Sequence, residues 1–337
     1  MRLITSLGYA AESNESEYVA TPLTHVMVLP HVEGFAVHRY EFFIFFITYP
    51  SKTIPDEIPS HQHAARVMVH MPQYLQNTGY KSPDDGKNGP FQFAFSTKLA
   101  YFEHIHADAT RAARFNTCMQ GNKGKRRQWF EWFPDMDDLV ERYTSSTPKS
   151  ESERVFLVDL GGGNGHHLQR LLDKFPMLKG DLILQDVPVT ISSLSSCSSF
   201  SEKGKEGGGI HPMVHDIFSP QPIKGAYLYY THFVLHDFND EKCRTLLRQT
   251  AKAMTPGYSR LLLNETVLPE RDCPAEFAAL DLTMLAVLSG IERTRGHWVR
   301  LVEEVGLRVL EVRVSPDEGD REGVVVAEVP IPVQAPV

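Results

Sequence analysis

Cysteine is scarce and unpatterned in this chain. The four present, Cys118, Cys197, Cys243 and Cys273, form no C-x-x-C pair and share no zinc spacing with histidine. That excludes a disulfide scaffold and a structural zinc module, and reads as four reduced thiols of an intracellular protein. Long apolar runs are missing as well. The most apolar stretch, Phe42 to Tyr49 (FFIFFITY), is far short of the roughly 20 residues a bilayer-spanning helix needs. The N-terminal segment MRLITSLGYAAESNESEY lacks an apolar core and meets acidic residues early, so no secretory leader and a cytoplasmic location are expected. Nor is there an excess of basic charge. Thirty-four Lys and Arg stand against 42 Asp and Glu, a formal net charge of −8, which argues against a nucleic-acid backbone as partner, since neutralising phosphates requires a basic face.

What remains is ordinary globular composition: 337 residues, 42% hydrophobic and 23% charged. That is room for one α/β domain of roughly 180 residues and a smaller partner. Residues 1–90 show no sustained period and read as irregular. Residues 91–150 read as helical. From 154 to 328, apolar runs of strand length alternate with helical spacing. Val155–Asp159, Leu182–Gln185, Pro212–His215, Gly225–Tyr230 and Arg260–Asn264 are the expected strands. His166–Phe175, Asp240–Met254 and Arg293–Val305 are the expected helices. Two β-rich runs, Leu307–Val314 and Gly323–Glu328, close the chain. Alternation of this kind implies a doubly wound, mostly parallel α/β sheet, Rossmann-like, and the two closing runs suggest an antiparallel hairpin at its edge. Ser192–Gly209, rich in Ser, Lys and Gly, reads as a helix end and a loop.

Between the first strand and first helix of this region stands Asp159-Leu-Gly161-Gly-Gly163-Asn-Gly165. Glycines let the backbone turn tightly and approach a ligand, and a helix N-terminus favours electronegative groups. A dinucleotide site wants G-x-G-x-x-G, whose third glycine would fall on His166. The tighter G-x-G-x-G, with an acid two residues ahead, suits S-adenosylmethionine, whose amino acid end is charged and which has no pyrophosphate. Asp186 ends the second strand, where a carboxylate can bind a ribose diol. An ordinary strand–helix turn followed by a strand-end Asp is the plainer alternative.

After the fourth strand comes His232-Phe-Val-Leu-His236-Asp237-Phe-Asn-Asp240. Loops at strand C-terminal ends line the ligand crevice of an open α/β sheet, so His236 and Asp237 are expected to face the crevice of the glycine loop. Glu265 ends the fifth strand by this reading, and Glu292 precedes the last long helix, so both could reach the imidazole. An imidazole titrates near 6.5 and a phenol near 10, and a neighbouring carboxylate can fix the tautomer of a base. Taken singly, each residue has a plainer role: a solvated loop histidine, a helix-capping Asp240, a Glu292 favoured by a helix N-terminus.

Taken together, V-D-L-G-G-G-N-G (158–165), Q-D-V-P (185–188), H-D-I-F (215–218), L-H-D-F-N-D-E-K-C (235–243), N-E-T-V-L-P (264–269) and G-I-E-R-T (290–294) resemble the plant and fungal small-molecule O-methyltransferases of the caffeic acid type. Fainter echoes lie at Tyr74–Tyr80, Gly89–Gln92 and Phe115–Met119. The resemblance implies an S-adenosylmethionine-dependent enzyme that methylates a hydroxyl of a small aromatic acceptor, phenolic or polyketide-like, without a metal. It implies that Asp159, Gly161, Gly163, Gly165, Asp186, Asp216, Ile217 and His232 serve the cofactor. His236 would be the general base, flanked by Glu265 and Glu292, with Asn116, Met119 and Asp237 near the acceptor. His232 stands where relatives usually carry Lys or Arg. The alternative is a relative that keeps S-adenosylmethionine and uses the pocket for dehydration or pericyclic rearrangement. By the same resemblance, residues 1–30 would be the remnant of a winged-helix dimerisation region, 31–150 an irregular and then helical substrate-side region with an unfamiliar stretch at 32–68, and 151–337 the methyltransferase domain. With most of the dimerisation region missing, the family's usual homodimer is expected to be weakened.

Overall fold

Six consecutive residues, Val155–Leu160, are all buried, the signature of a strand covered on both faces. In the computed structural model they form the third strand of the chain. The model describes residues 1–14, 17–22, 24, 59–112, 115, 127–145, 154–178, 180–194, 209–317 and 319–331. These fall into two compact units, neither continuous in sequence. One comprises Met1–Arg126, His236–Asn239 and Leu268–Thr294; the other comprises Arg127–Leu235, Asp240–Val267 and Arg295–Val337.

The first unit contains α1 (Arg2–Ser6), the antiparallel hairpin β1 (Ala10–Asn14) and β2 (Glu17–Ala20), α2 (Pro59–Asn77), α3 (Pro90–Phe95) and α4 (Tyr101–His106). Much later in the chain come α10 (Ala275–Leu288) and the two-residue strand β8 (Arg293–Thr294). The expectation of irregular structure over residues 1–90 is therefore corrected: a hairpin and a 19-residue helix lie there. Pro72 inside α2 breaks the helical signal, because proline removes a donor and is disfavoured in helix interiors. Sequence reading passed over α10 for the opposite reason. It is apolar nearly all round, with Phe277, Ala278, Ala279, Ala286 and Val287 buried, so it shows no polar face to mark its period. It packs against α1, α2 and α3.

One core histidine of this unit has a measurable consequence. His63 lies edge-on to Phe95, Tyr101 and Phe91, with ring centroids 5.2, 5.9 and 6.2 Å away, and beside His104 at 5.4 Å. Burial, followed by the neighbouring His104 and Arg111, lowers its pKa from 6.5 to about 4. The unfolded chain therefore binds this proton more readily than the folded one across that window. The stability that neutral His63 confers is complete above pH 6.5 and lost as the pH falls towards 4, a change on the order of 2 kcal/mol. Melting temperatures across this window should fall more steeply for the native protein than for His63→Gln. Parallel slopes would show that another group governs the acid limb.

The second unit is built on the sheet. Its elements are α5 (Trp129–Trp132), α6 (Met136–Ser145), β3 (Val155–Leu160), α7 (His166–Lys174), β4 (Asp181–Asp186), α8 (Pro188–Leu194), β5 (Ile210–Val214), β6 (Leu228–His232), α9 (Asp240–Ala251), β7 (Arg260–Leu268), α11 (Arg295–Glu303), β9 (Arg308–Val314) and β10 (Glu322–Glu328). The strand order is β5-β4-β3-β6-β7-β10-β9. The first five strands run parallel, and β10 pairs antiparallel with both β7 and β9. The doubly wound sheet with an antiparallel edge is as expected. The central strands are buried, while β5 and β9 at the rims are largely half-buried or exposed. Trp129 stacks on Tyr230 with centroids 5.0 Å apart, and Leu168 and Leu171 of α7 join the same core.

One boundary differs in a way that matters. β7 continues to Leu268, so Glu265 lies inside the strand and not at its end. A fully buried carboxylate is tolerated there because Oε1 accepts the backbone N–H groups of Val234 and Leu235, at 3.0 and 2.8 Å. Buried charge without such donors would be costly.

Candidate active site

β3 ends at Leu160, and the chain turns through Gly161, Gly163 and Gly165, all with positive φ (75°, 61° and 71°), a region open mainly to glycine. The turn is stitched to the next strand. The carbonyl of Gln185 accepts N–H bonds from Gly161 (2.8 Å) and Gly162 (3.2 Å). Asp186 Oδ2 accepts the N–H of Gly163 at 2.9 Å and Oδ1 that of Val187 at 2.7 Å. Two glycines carry the loop's steric logic. A Cβ on Gly162 would lie 2.4 Å from Oδ2 of buried Asp159, whereas one on Gly163 would meet nothing within 4 Å. The loop is thus tight on the Asp159 side and open beside Gly163, a backbone cradle of the kind a ligand approaches closely.

Asp216 and Ile217 follow β5. The N–H of His215 donates to the Asp186 carbonyl at 3.0 Å, which ties this segment to the acid of the loop. Asp216 accepts from the Phe218 N–H (3.0 Å) and the Ser219 hydroxyl (3.2 Å). His232, the last residue of β6, packs against the rings of His167, on the helix that the loop opens, and Phe233, each 4.3 Å away. Its Nε2 is 3.7 Å from Glu322. Phe233 has a φ of 50°, strain of the sort held at functional sites. Close by, burial and then the carboxylates of Asp159, Glu322 and Glu265 push the Tyr230 hydroxyl far above its ordinary range. It stays protonated and donates to Asn264 at 2.9 Å.

The second cluster belongs to the first unit. Leu235–Asp237 forms a short 3-10 turn. His236 Nδ1 lies 2.7 Å from Oε1 of Glu292, whose side chain is fully buried, and the imidazole itself is 12% exposed. Its Nε2 lies 3.4 Å from Asp237 Oδ1. The backbone is locked beside it: the Ile291 N–H donates to the His236 carbonyl at 2.9 Å, and a Cβ on Gly290 would lie 2.2 Å from that oxygen. Gly290 was visible in the sequence only as a motif letter; its role is this close approach. A buried carboxylate on Nδ1 can fix the orientation of the ring, as it does for an oriented general base.

The site residues expected from sequence thus form two groups. Asp159, Gly161, Gly163, Gly165 and Asp186 cluster at the loop, with Asp216 and Ile217 tied to it. His236, Asp237 and Glu292 cluster at the 3-10 turn. Glu265 serves the backbone of residues 234 and 235. Asn116 and Met119 lie outside the described residues.

Comparison with known proteins supplies the family. Residues 81–308 match the O-methyltransferase domain family. The chain belongs to that family. It is 32% identical over 320 residues to the O-methyltransferase AsqD of Emericella nidulans, covering 95% of this chain and 73% of AsqD. It is 30% identical over 314 residues to the demethylsterigmatocystin 6-O-methyltransferase of Aspergillus flavus, covering 93% of this chain and 71% of that enzyme. Among solved structures, OxaC in complex with SAH and oxaline aligns with a TM-score of 0.66 at 25% identity, covering 97% of this chain and 73% of OxaC. The LepI complex with SAM aligns with a TM-score of 0.67 at 24% identity, covering 97% and 75%, a likeness of fold. The protein is an S-adenosylmethionine-dependent O-methyltransferase. No helix among its described residues is long and apolar enough to cross a membrane.

Proposed function

We propose that this methyltransferase transfers a methyl group to a hydroxyl of a small aromatic natural product, phenolic or polyketide-like, with His236 as general base. The observation that carries the reading is the 2.7 Å bond between His236 Nδ1 and buried Glu292. S-adenosylmethionine supplies an electrophilic methyl group. Everything else falls to the chain. Asp159, Gly161, Gly163, Gly165 and Asp186 would hold the cofactor, with Asp216, Ile217 and His232 as further contacts, and the open cradle at Gly163 suits that role. Nε2 of His236 would take the proton that the acceptor hydroxyl loses as the methyl group leaves the sulfonium for its oxygen. Glu292 then stabilises the imidazolium that forms and keeps its ring in place. Asp237 would orient the acceptor together with Asn116 and Met119. The names of the relatives support acceptors of natural-product size, since one specifies demethylsterigmatocystin and one structure holds oxaline.

A fold likeness at 24% identity to a structure described as a pericyclic reaction enzyme is the ground for a second, non-methylating reading. The His236–Glu292 pair favours methylation, which needs a base where a rearrangement does not. Incubation of the protein with S-adenosylmethionine and a panel of phenols and aromatic polyketides, read by mass spectrometry, separates the two. Methylation adds one CH2 unit to the product. Conversion without mass gain on every accepted substrate would overturn the proposal.

A further inference from the structure

Glu292 is held at both ends of its backbone by one ion pair. α10 ends at Leu288, with Ser289 left-handed (φ 57°) and the Gly290 N–H returning to the Met284 carbonyl at 3.2 Å. This reversal carries residues 291 and 292 back alongside Asp281, in the middle of the same helix. There Asp281 Oδ1 accepts the N–H of Glu292 at 2.9 Å. Its other oxygen, Oδ2, accepts from Arg2 Nη1 at 2.6 Å, and Arg2 Nη1 also donates to the carbonyl of Glu292 at 3.0 Å. Arg2 comes from α1, nearly the whole length of the chain away. One guanidinium and one carboxylate therefore satisfy both backbone polar groups of the residue whose side chain orients His236.

We infer that Arg2 and Asp281 are positioning residues for methyl transfer, acting through the Glu292 carboxylate on His236. The inference rests on the reading of His236 as the base. Both residues bond to the backbone of Glu292, whose carboxylate meets the imidazole. The two side chains of the pair are 23% and 21% exposed. An ion pair that still reaches solvent contributes only modestly to stability. Its geometric consequence is larger. With both of its flanking hydrogen bonds made, the Glu292 backbone cannot rotate, and only side-chain torsions separate it from the ring. Arg293 braces the same turn by donating to the carbonyls of Phe238 (2.8 Å) and Ile291 (3.2 Å), so loss of Arg2 would loosen the Glu292 backbone without unfolding the turn.

The decisive measurement needs no acceptor. In full-length protein labelled with 15N-histidine, the Nδ1–H proton of His236, assigned by its disappearance in His236→Ala, should resonate far downfield and exchange slowly with water. Glu292→Gln should abolish that signal. Arg2→Ala and Asp281→Asn should each broaden it and speed its exchange while the protein remains folded by circular dichroism; two variants guard against one failing to fold. A signal unchanged in both folded variants would overturn the inference. Turnover on the acceptor found by the screen above provides the second readout. Arg2→Ala should lower kcat by about 10- to 100-fold, as small misplacements of reacting groups do, with little change in the KM for S-adenosylmethionine. In the Glu292→Gln background the same change should cost less than about twofold, because residues acting through one another are not additive. Equal losses in both backgrounds would show a general structural role and sink the idea. Normal turnover in Glu292→Gln and His236→Ala would instead remove the base assignment, while the proton signal would still report whether Arg2 places Glu292.

Discussion

His236→Ala lowers turnover by about 10²- to 10⁴-fold, the usual contribution of a positioned general base, and leaves cofactor affinity nearly unchanged. The expectation follows from what each residue is bonded to. His236 is bonded to Glu292, whereas the groups proposed to hold the cofactor cluster around Gly163 and Asp186. A phenol with a pKa near 10 is protonated at neutral pH, so proton removal has to accompany methyl transfer. His236→Gln should not restore activity, because an amide cannot accept the proton. Steady-state kinetics with calorimetry on the same samples checks both halves. Near-normal turnover in His236→Ala would mean either that the acceptor is already ionised or that the reaction is not methyl transfer.

Asp186→Ala should weaken S-adenosylmethionine binding by about 10- to 100-fold, the range for losing one charge-assisted hydrogen bond. Two changes coincide in this variant. The carboxylate proposed to meet the ribose disappears, and the N–H groups of Gly163 and Val187 lose their acceptor, so the loop loses its tie to β4. Gly163→Val should act in the same direction by another route. At a φ of 61° a β-branched residue is strained by about 1–3 kcal/mol, and its side chain would occupy the space open beside the loop. Titration calorimetry of the three proteins reads the effect directly. Equal affinity in native protein and Gly163→Val would remove the cofactor from this loop, and with it the roles proposed for its neighbours.

Much of this was legible in residues alone. The D-x-G-x-G-x-G loop could be assigned because its chemistry is local: the positive-φ backbone, the strand before it and the helix after it are adjacent in sequence. Asp186 was legible for the same reason, since a strand-end acid is marked by the strand. The parallel sheet followed from apolar runs alternating with helices, because parallel strands require crossovers. Elements whose pattern is ambiguous were less accessible. α10 is apolar nearly all round and α2 carries an internal proline, so neither shows a clean period. Glu265 was placed at a strand end because its polarity looked like a terminus, yet β7 runs three residues past it.

Residue order alone was enough for the fold class and for proposing the glycine loop as the cofactor site and His236 as the base, since each rests on short-range periodicity or on residue types within a few positions of one another. Which carboxylate partners His236 was settled only by the folded chain. His236 lies 56 residues from Glu292, and nothing in the spacing distinguished Glu292 from Glu265. The distinction is made by hydrogen bonding. Glu265 is engaged by the backbone N–H groups of Val234 and Leu235, and Glu292 is turned to the imidazole from a backbone secured by Arg2 and Asp281. Buried polar groups go where their hydrogen-bond partners are, and the partners of Glu292, in backbone and side chain, lie 11, 56 and 290 residues away and are brought to it only when the chain has folded.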